Sequence, residues 1–527
     1  MPKSLFHQCS FVGGEISPRA FGRYDIQQYS NSMALLENFL IYRIGGIRFR
    51  PGTVYVADTK TDSKKSYLFP FQYSTSQAYA LEIGDQYMRF FANSAQVVTA
   101  PSTPLEMSTP WLVADVPYVH YAQNSDTMYL VHGSYVPYKL QRISSTLFVL
   151  NPVVFIRGPF LSSNVANVTI TPSADTGVGV TLTATVPAWG GSTGYIPGDF
   201  VTNAGTMYLC KISHTSGTFA TDLAAGKWVA KDFFQTGHIG SSWRIKNGVV
   251  LITAYTSKTV VTGDVQKEPA GTAGNLGTGP ASTADWAEGA FSSVRGWPST
   301  VTFHQQRLFY GCTTNQPQTF WGSSIGAYDN FNVGSTSDSD AVSFTLSSDQ
   351  VLEIRWMRST YNSLQIGTSG GTATITGASG NSTITPTSIN VQLDTDYGSS
   401  KRMAKKSSSY VIYLQSNGYQ VRELVYDYYV NRQVAGDLNL LAEHILRDGS
   451  GAVDYDRQQS PDTRLWMVRS DGQIAVLDRD REQKVMGWSR ITGGLSSGQA
   501  GTFESITILQ SDNNDDQIWV IVNRVIN

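Results

Sequence analysis

The chain has 527 residues, 41% hydrophobic and 12% aromatic, with 48 glycines and a formal net charge of −2. That length suggests two to four domains, and an aromatic, Thr/Val/Ser-rich, glycine-punctuated composition favours pleated sheets over helices. The near-neutral balance of 39 basic and 41 acidic side chains excludes a protein dedicated to gripping phosphates, though not a conduit past which nucleic acid slides.

The N-terminal stretch "MPKSLFHQCSFVGGE" lacks the apolar h-region of a signal peptide. No apolar run reaches the ~18 residues that span a bilayer, so the sequence reads as soluble and cytoplasmic, or assembled there. Cys9, Cys210 and Cys312 lie far apart, without a C-x-x-C pair. That spacing gives neither a disulfide framework nor a zinc finger, and predicts buried free thiols. The best helix signal is "NSMALLENFLI", Asn31 to Ile41, with apolar residues at helical spacing after an Asn/Ser cap.

Next, "DTMYLVHGSYVPYKLQRI" (Asp126 to Ile143) shows a short alternating strand, a turn and a second strand. About 180 residues separate it from the next clear unit of the same kind. Residues 161–300 read as an insertion, which a closed array tolerates on loops at one face.

The C-terminal half then repeats that strand–turn–strand pattern. Anchors at Leu308, Leu364, Tyr413, Leu465 and Ile518 are spaced by about 56, 49, 52 and 53 residues. A period near 50 predicts a mostly β protein with a β-propeller-like core, an inserted small β domain and few helices. A pair of long β-sandwiches is the alternative. "SNGYQ" and "SDGQI" carry Asn-Gly and Asp-Gly dipeptides, which predict tight hairpins with both central residues at positive φ. "LDRDREQKVMGW" reads as a charged hairpin that keeps an exposed edge from pairing with strangers. The domains expected are 1–160 (N-terminal docking region and first propeller strands), 161–240 (inserted β domain), 241–300 (return to the core) and 301–527 (propeller-like repeats).

Several stretches mimic catalytic or metal sites. Gly322-x-Ser324-x-Gly326 matches a nucleophile elbow, but the pattern recurs at Gly190–Gly194, Gly367–Gly371 and Gly494–Gly498, and no helix pattern follows Gly326. His304 and Cys312 lack an orienting third group. Asp512, Asn514 and Asp516 start like a calcium loop, yet Gln517 and Asn523 stand where Gly and Glu are required. Asp338 and Asp340 are similarly incomplete. No P-loop, dinucleotide fingerprint or H-E-x-x-H occurs. The expectation is no enzyme, no cofactor and no metal.

One segment, 195–232, resembles small carbohydrate-binding modules of the chitin-binding type. The resemblance rests on Tyr195-x-x-Gly198-Asp199-x-Val201, Gly205-x-x-Tyr208-x-Cys210, His214 to Gly217, and Trp228. It implies stacking of aromatic faces on sugar rings, with Trp189, Tyr195, Tyr208 and Trp228 as candidates. A small aromatic core is the competing reading of the same residues.

Nearly all the chain outside about 161–235 resembles one family, the tail nozzle (tail tubular) proteins of short-tailed bacteriophages. "FVGGEISPRAFGRYDIQQYSNSMALLENFLIYRIGGIRFRPGTVYVA", "FPFQYSTSQAYALEIGDQYMRFF", "RGWPSTVTFHQQRLFYGCTTNQPQTFWGSSIGAYDNF", "DAVSFTLSSDQVLEIRWM", "LQIGTSGG", "ITPTS" and "LAEHI" carry it. The resemblance implies a virion protein without catalysis, assembled in the host cytoplasm as a hexameric ring below the portal and adaptor. It implies passage of double-stranded DNA through a gated channel and docking of tail fibres or spikes; the alternative reading is a tail protein that binds host surface polysaccharide through the carbohydrate-module-like insertion 195–232. The family continues past "WVIVNRVIN", so the last repeat reads as incomplete, with the N-terminal strand expected to close it.

Overall fold

In a four-stranded radial sheet the second strand lies between two neighbouring sheets, so both of its faces are buried. Three repeat anchors lie on strands with that signature, Arg307–Gly311, Leu364–Thr368 and Arg464–Arg469, whose every residue is buried. The structure, a computed structural model, describes residues 8–524 apart from 75, 101, 268–272, 334–336, 348–351, 380–381, 494, 497–498 and 511–514.

Among the described residues, six units of four antiparallel strands and one of two follow one another around a ring. Blade I comprises Tyr67–Gln72, Ala78–Gly84, Tyr87–Ala92 and Glu106–Ser108, and blade II comprises His120–Asn124, Thr127–His132, Tyr135–Ser144 and Leu147–Pro152. Blade III is Thr300–His304, Arg307–Gly311, Thr319–Gly322 and Val342–Thr345, and blade IV is Ile354–Ser359, Leu364–Thr368, Thr372–Thr376 and Asn390–Thr395. Blade V is Lys405–Ser407, Tyr410–Leu414, Val421–Asp427 and Arg432–Asp437, and blade VI is Ala452–Gln458, Arg464–Arg469, Ile474–Asp480 and Val485–Ile491. Blade VII contains, among the described residues, Thr502–Leu509 and Gln517–Asn523. All five anchors fall on the second strand of their blades.

The first strands line the axis and close the circle. Those of blades II, III and IV lie side by side, as do those of VI, VII and I. Blades I and II are joined by Gln123, which donates to Gln72 O at 2.8 Å and accepts from Gln72 N at 3.0 Å. Blade IV reaches V through Arg358 Nε, which donates to Ala404 O. Blade V reaches VI through Lys405 and Asp456. A separate apolar cluster fills each seam, for example Phe71, Phe90, Trp111, Met128 and Phe148 between I and II, and Trp466, Val468, Phe503 and Ile506 between VI and VII. The core is a β-propeller, each blade burying its faces against its neighbours.

The helix predicted over Asn31–Ile41 does not form. Gln27–Asn31 is a 3-10 turn, Ser32–Met33 and Phe39–Ile41 are strands, and Asn38 has φ +61°. Tertiary packing overrides the weak helical propensity, because Leu36 and Ile41 are buried beside Val485 of blade VI. Among the described residues, the N-terminal strand does not join the last repeat. Gly14–Glu15 pairs in parallel with Trp488 on the outer strand of blade VI, so the charged hairpin's strand is a covered edge. Gly14 fits there because its φ is +62°, and a Cβ would lie 2.3 Å from Trp488 N.

The Asn-Gly and Asp-Gly turns also differ from expectation. Only Gly418 and Gly472 have positive φ. Asn417 and Asp471 instead accept from backbone amides two residues on, at Tyr419 (3.2 Å) and Gln473 (3.2 Å), the side-chain turn these residues favour.

The insertion between blades II and III contains a six-stranded sheet in the order Thr169–Pro172, Val180–Thr185, Val260–Val265, Gly248–Ser257, Ser242–Ile245, Trp286–Ala287. This sheet crosses the boundary expected at 240, so residues on both sides share one core, centred on Trp243, Phe234 and Ile252. A smaller unit, Trp189 to Ala230, is nested within it and holds the α-helix Phe219–Ala224.

Candidate functional site

The nested unit gathers all four sequence candidates. Ala204 and Gly205, both at positive φ, turn the hairpin of Phe200–Asn203 and Thr206–Cys210, which then pairs with Trp228–Ala230. Asp199 holds the preceding turn, its carboxylate accepting from Ile196 N at 2.9 Å and from Asn167 N at 3.0 Å.

The arrangement is a core more than a platform. Tyr195 and Trp228 are 5% and 3% exposed and meet edge to face at 5.0 Å. Trp189 and Tyr208 are half-buried and both pack against Phe219, at 5.7 and 4.8 Å. Stacking on a pyranose needs an exposed ring face, so Tyr195 and Trp228 offer none, and only Trp189 and Tyr208 retain partial access.

The same unit holds a constellation that sequence reasoning missed. Cys210 Sγ lies 3.9 Å from His214 Nδ1, and His214 Nε2 lies 3.6 Å from Asp222 Oδ2. The order resembles a thiol–imidazole–carboxylate relay, but its chemistry does not close. His214 Nδ1 is committed to Ile212 O at 2.7 Å. Burial pushes the thiol pKa of Cys210 up, and Asp222 is engaged by Lys227 at 2.7 Å, which holds its carboxyl below the usual range. The cluster ties helix, turn and hairpin together. Its only sequence signal is the Cys-x3-His spacing, weak without Asp222 beside it.

The segment around His304 is likewise structural. His304 Nδ1 pairs with Ser359 Oγ at 2.9 Å across the III–IV seam, and burial lowers its pKa to about 4. Cys312 sits at φ +61° with its thiol pKa pushed up by burial. Ser324 lies in a turn, its amide donating to Asn330 O at 2.9 Å. Around Asp338 and Asp340 it is the backbone carbonyls that act, accepting from the fully buried Arg307. Asp516 accepts from the amides of Gln459 and Ser460 and so pins blade VII to VI. Asp512, Asn514 and Gly494 lie outside the described residues. Among the described residues no cluster of three or more His, Cys, Asp or Glu could hold a metal, and Cys9, expected buried, is exposed.

The propeller axis gathers several charged side chains. A cavity of about 50 Å³ is lined by Tyr67, Tyr121, Arg402, Lys405, Asp454 and Asp456 among others. Asp454 accepts from Ser505 Oγ and from Ile506 N at 3.0 Å, and Asp456 accepts from Ile508 N at 2.9 Å. Lys405 Nζ lies 2.9 Å from Asp456. Two carboxylates of blade VI thus clamp the first strand of blade VII, beside the apolar seam of Phe503, Ile506 and Ile508. A cavity of that size is far smaller than a nucleotide.

No protein-family model matches the chain, and no curated protein does. Solved structures align weakly. The computationally designed Ika8 protein is 11% identical, covers 76% of this chain and 96% of its own, and has a TM-score of 0.23. The Neurospora crassa Pan2 WD40 domain is 6% identical over 76% of this chain and 87% of its own, at a TM-score of 0.28. A Lactobacillus plantarum protein is 9% identical over 68% and 80%, at 0.27. Overlaps this poor carry no functional argument, and the propeller assignment stands on the strand order and seams above.

Proposed function

We propose that this chain is a structural subunit of the tail nozzle of a short-tailed bacteriophage, an oligomeric tube, most simply a hexamer, that conducts and gates the genome. Motif resemblance from Phe11 to "LAEHI" supports the family. The observation that carries the geometric side is the filled axis. A propeller whose centre is occupied by paired charges conducts nothing by itself, so a conduit has to form between copies.

The N-terminal arm supports assembly. Tyr24, Ile44, Phe49, Val54 and Tyr55 are 74–96% exposed, a density of bare apolar side chains that marks contact surfaces. The near-neutral charge suits a wall past which DNA slides, since a lysine- and arginine-rich lining would release counterions and grip the duplex. The chain would sit below the portal and adaptor and carry fibres or spikes. Mixing the purified protein with portal–adaptor particles tests this reading, which expects co-sedimentation and loses its support if the protein remains free.

The second reading, host-glycan binding through the insertion, is the weaker, because Tyr195 and Trp228 are spent on the module's core. Glycan-array binding that disappears in Trp189→Ala would revive it.

A further inference from the structure

We propose that the propeller axis holds one small monovalent anion, of halide size, beside Arg402 and Lys405. The argument begins with charge. Arg402 and Lys405 line the cavity with Asp454 and Asp456, and Arg358 lies near enough to interact with Asp456, so three cations face two carboxylates. Both carboxylates are saturated. Asp454 accepts from Tyr455 N, Ser505 Oγ and Ile506 N. Asp456 accepts from Arg457 N, Thr507 Oγ1, Ile508 N and Lys405 Nζ. The guanidinium groups are not matched in this way. Arg402 donates to Pro117 O at 3.0 Å and lies 5.1 Å from the centre of the Tyr118 ring, and Arg358 donates to Ala404 O. Neither has an ion-pair partner among the described carboxylates. Both arginines are half-buried, and a positive charge partly removed from water favours a counter-charge.

The space fits the same ligand. About 50 Å³ exceeds the ~10–15 Å³ that admits one water and falls far below the roughly 300 Å³ of common small-molecule sites. A second polar group keeps its proton to donate, since the hydroxyl of Tyr455, a lining residue that is 4% exposed, meets only the Leu414 amide. A metal cation is disfavoured because every carboxylate oxygen there already accepts a hydrogen bond. The bound anion would bridge the first strands of blades I, V, VI and VII, where the ring closes.

The test uses the full chain in sodium chloride, sodium bromide and sodium gluconate at constant ionic strength. A site binding N and not U raises the melting temperature by mass action, so chloride and bromide should give a saturable rise of about 1–3 °C over gluconate. Crystals grown in bromide should show an anomalous peak within hydrogen-bond reach of Arg402. Arg402→Gln should abolish both while the circular dichroism spectrum is unchanged. Identical melting in all three salts, or bromide found only elsewhere with water alone on the axis, overturns the proposal. If Arg402→Gln fails to fold, the position of bromide in the wild-type crystal decides by itself.

Discussion

His444 Nε2 lies 2.8 Å from Glu15 Oε1, joining two residues 429 positions apart and fastening the N-terminal arm to the propeller. Glu15 is 1% exposed, yet it also accepts from Leu36 N at 3.0 Å and pairs with Arg490 at 2.8 Å. One carboxylate therefore ties the arm, the short helix Glu443–Arg447 and the outer strand of blade VI into one joint.

Removing that carboxylate leaves Arg490 and His444 facing a buried gap. Glu15→Ala should destabilise the protein by about 3 kcal/mol, read by urea unfolding, and should expose the arm to protease before the blades are cut. Simultaneous cleavage of arm and blades would show that the joint is not a separate unit.

The same joint predicts an acid response. Burial alone would raise the pKa of Glu15, but the bonds to His444, the Leu36 amide and Arg490 outweigh it and hold the pKa below its ordinary 4.5. A carboxylate with a depressed folded pKa contributes stability that is present above its unfolded value and lost as pH falls through the folded one. Arm protection against protease should therefore be constant from neutrality down to about pH 5 and fall below it. Glu15→Gln should flatten that dependence.

Gly14→Ala addresses the arm through the backbone. The added Cβ meets Trp488 N at 2.3 Å, at a φ of +62°, so the parallel pairing should be lost while the seven seams persist. The expected result is arm release with near-native circular dichroism. An unchanged digestion pattern would refute the pairing.

Asp456→Ala should loosen blade VII selectively. It strands Lys405 and frees the Ile508 amide and the Thr507 hydroxyl, a loss of about 3–5 kcal/mol for a broken buried pair. Hydrogen exchange should accelerate in Thr502–Leu509 more than in Ile354–Ser359, on the far side of the ring.

Trp228→Ala should cost about 3–5 kcal/mol within the nested module, because Trp228 packs on Tyr195 and Phe219. The propeller should retain its own melting transition, since the module's core shares no residue with the blade seams.

The repeat was legible because strand–turn–strand units recur about every 50 residues, with anchors from Leu308 to Ile518 that all fall on second strands. The insertion was legible from the gap in that rhythm. The arm was not, because "NSMALLENFL" has helical spacing by coincidence and becomes strand and turn only when Leu36 and Ile41 reach Val485. The axial charges were invisible for a related reason. Arg402, Lys405, Asp454 and Asp456 read as surface residues until closure of the ring brings blades V, VI and VII together. Tyr195 and Trp228 look alike as core or as sugar platform, and only the packing around Phe219 separates the two.

Electron microscopy of the purified full-length protein tests the central claim most directly. A subunit of a conduit with a filled axis should assemble into closed rings or tubes, most simply of six copies, whose opening lies between propellers. Particles that remain single propellers at every concentration examined, or rings without a central opening, would contradict it.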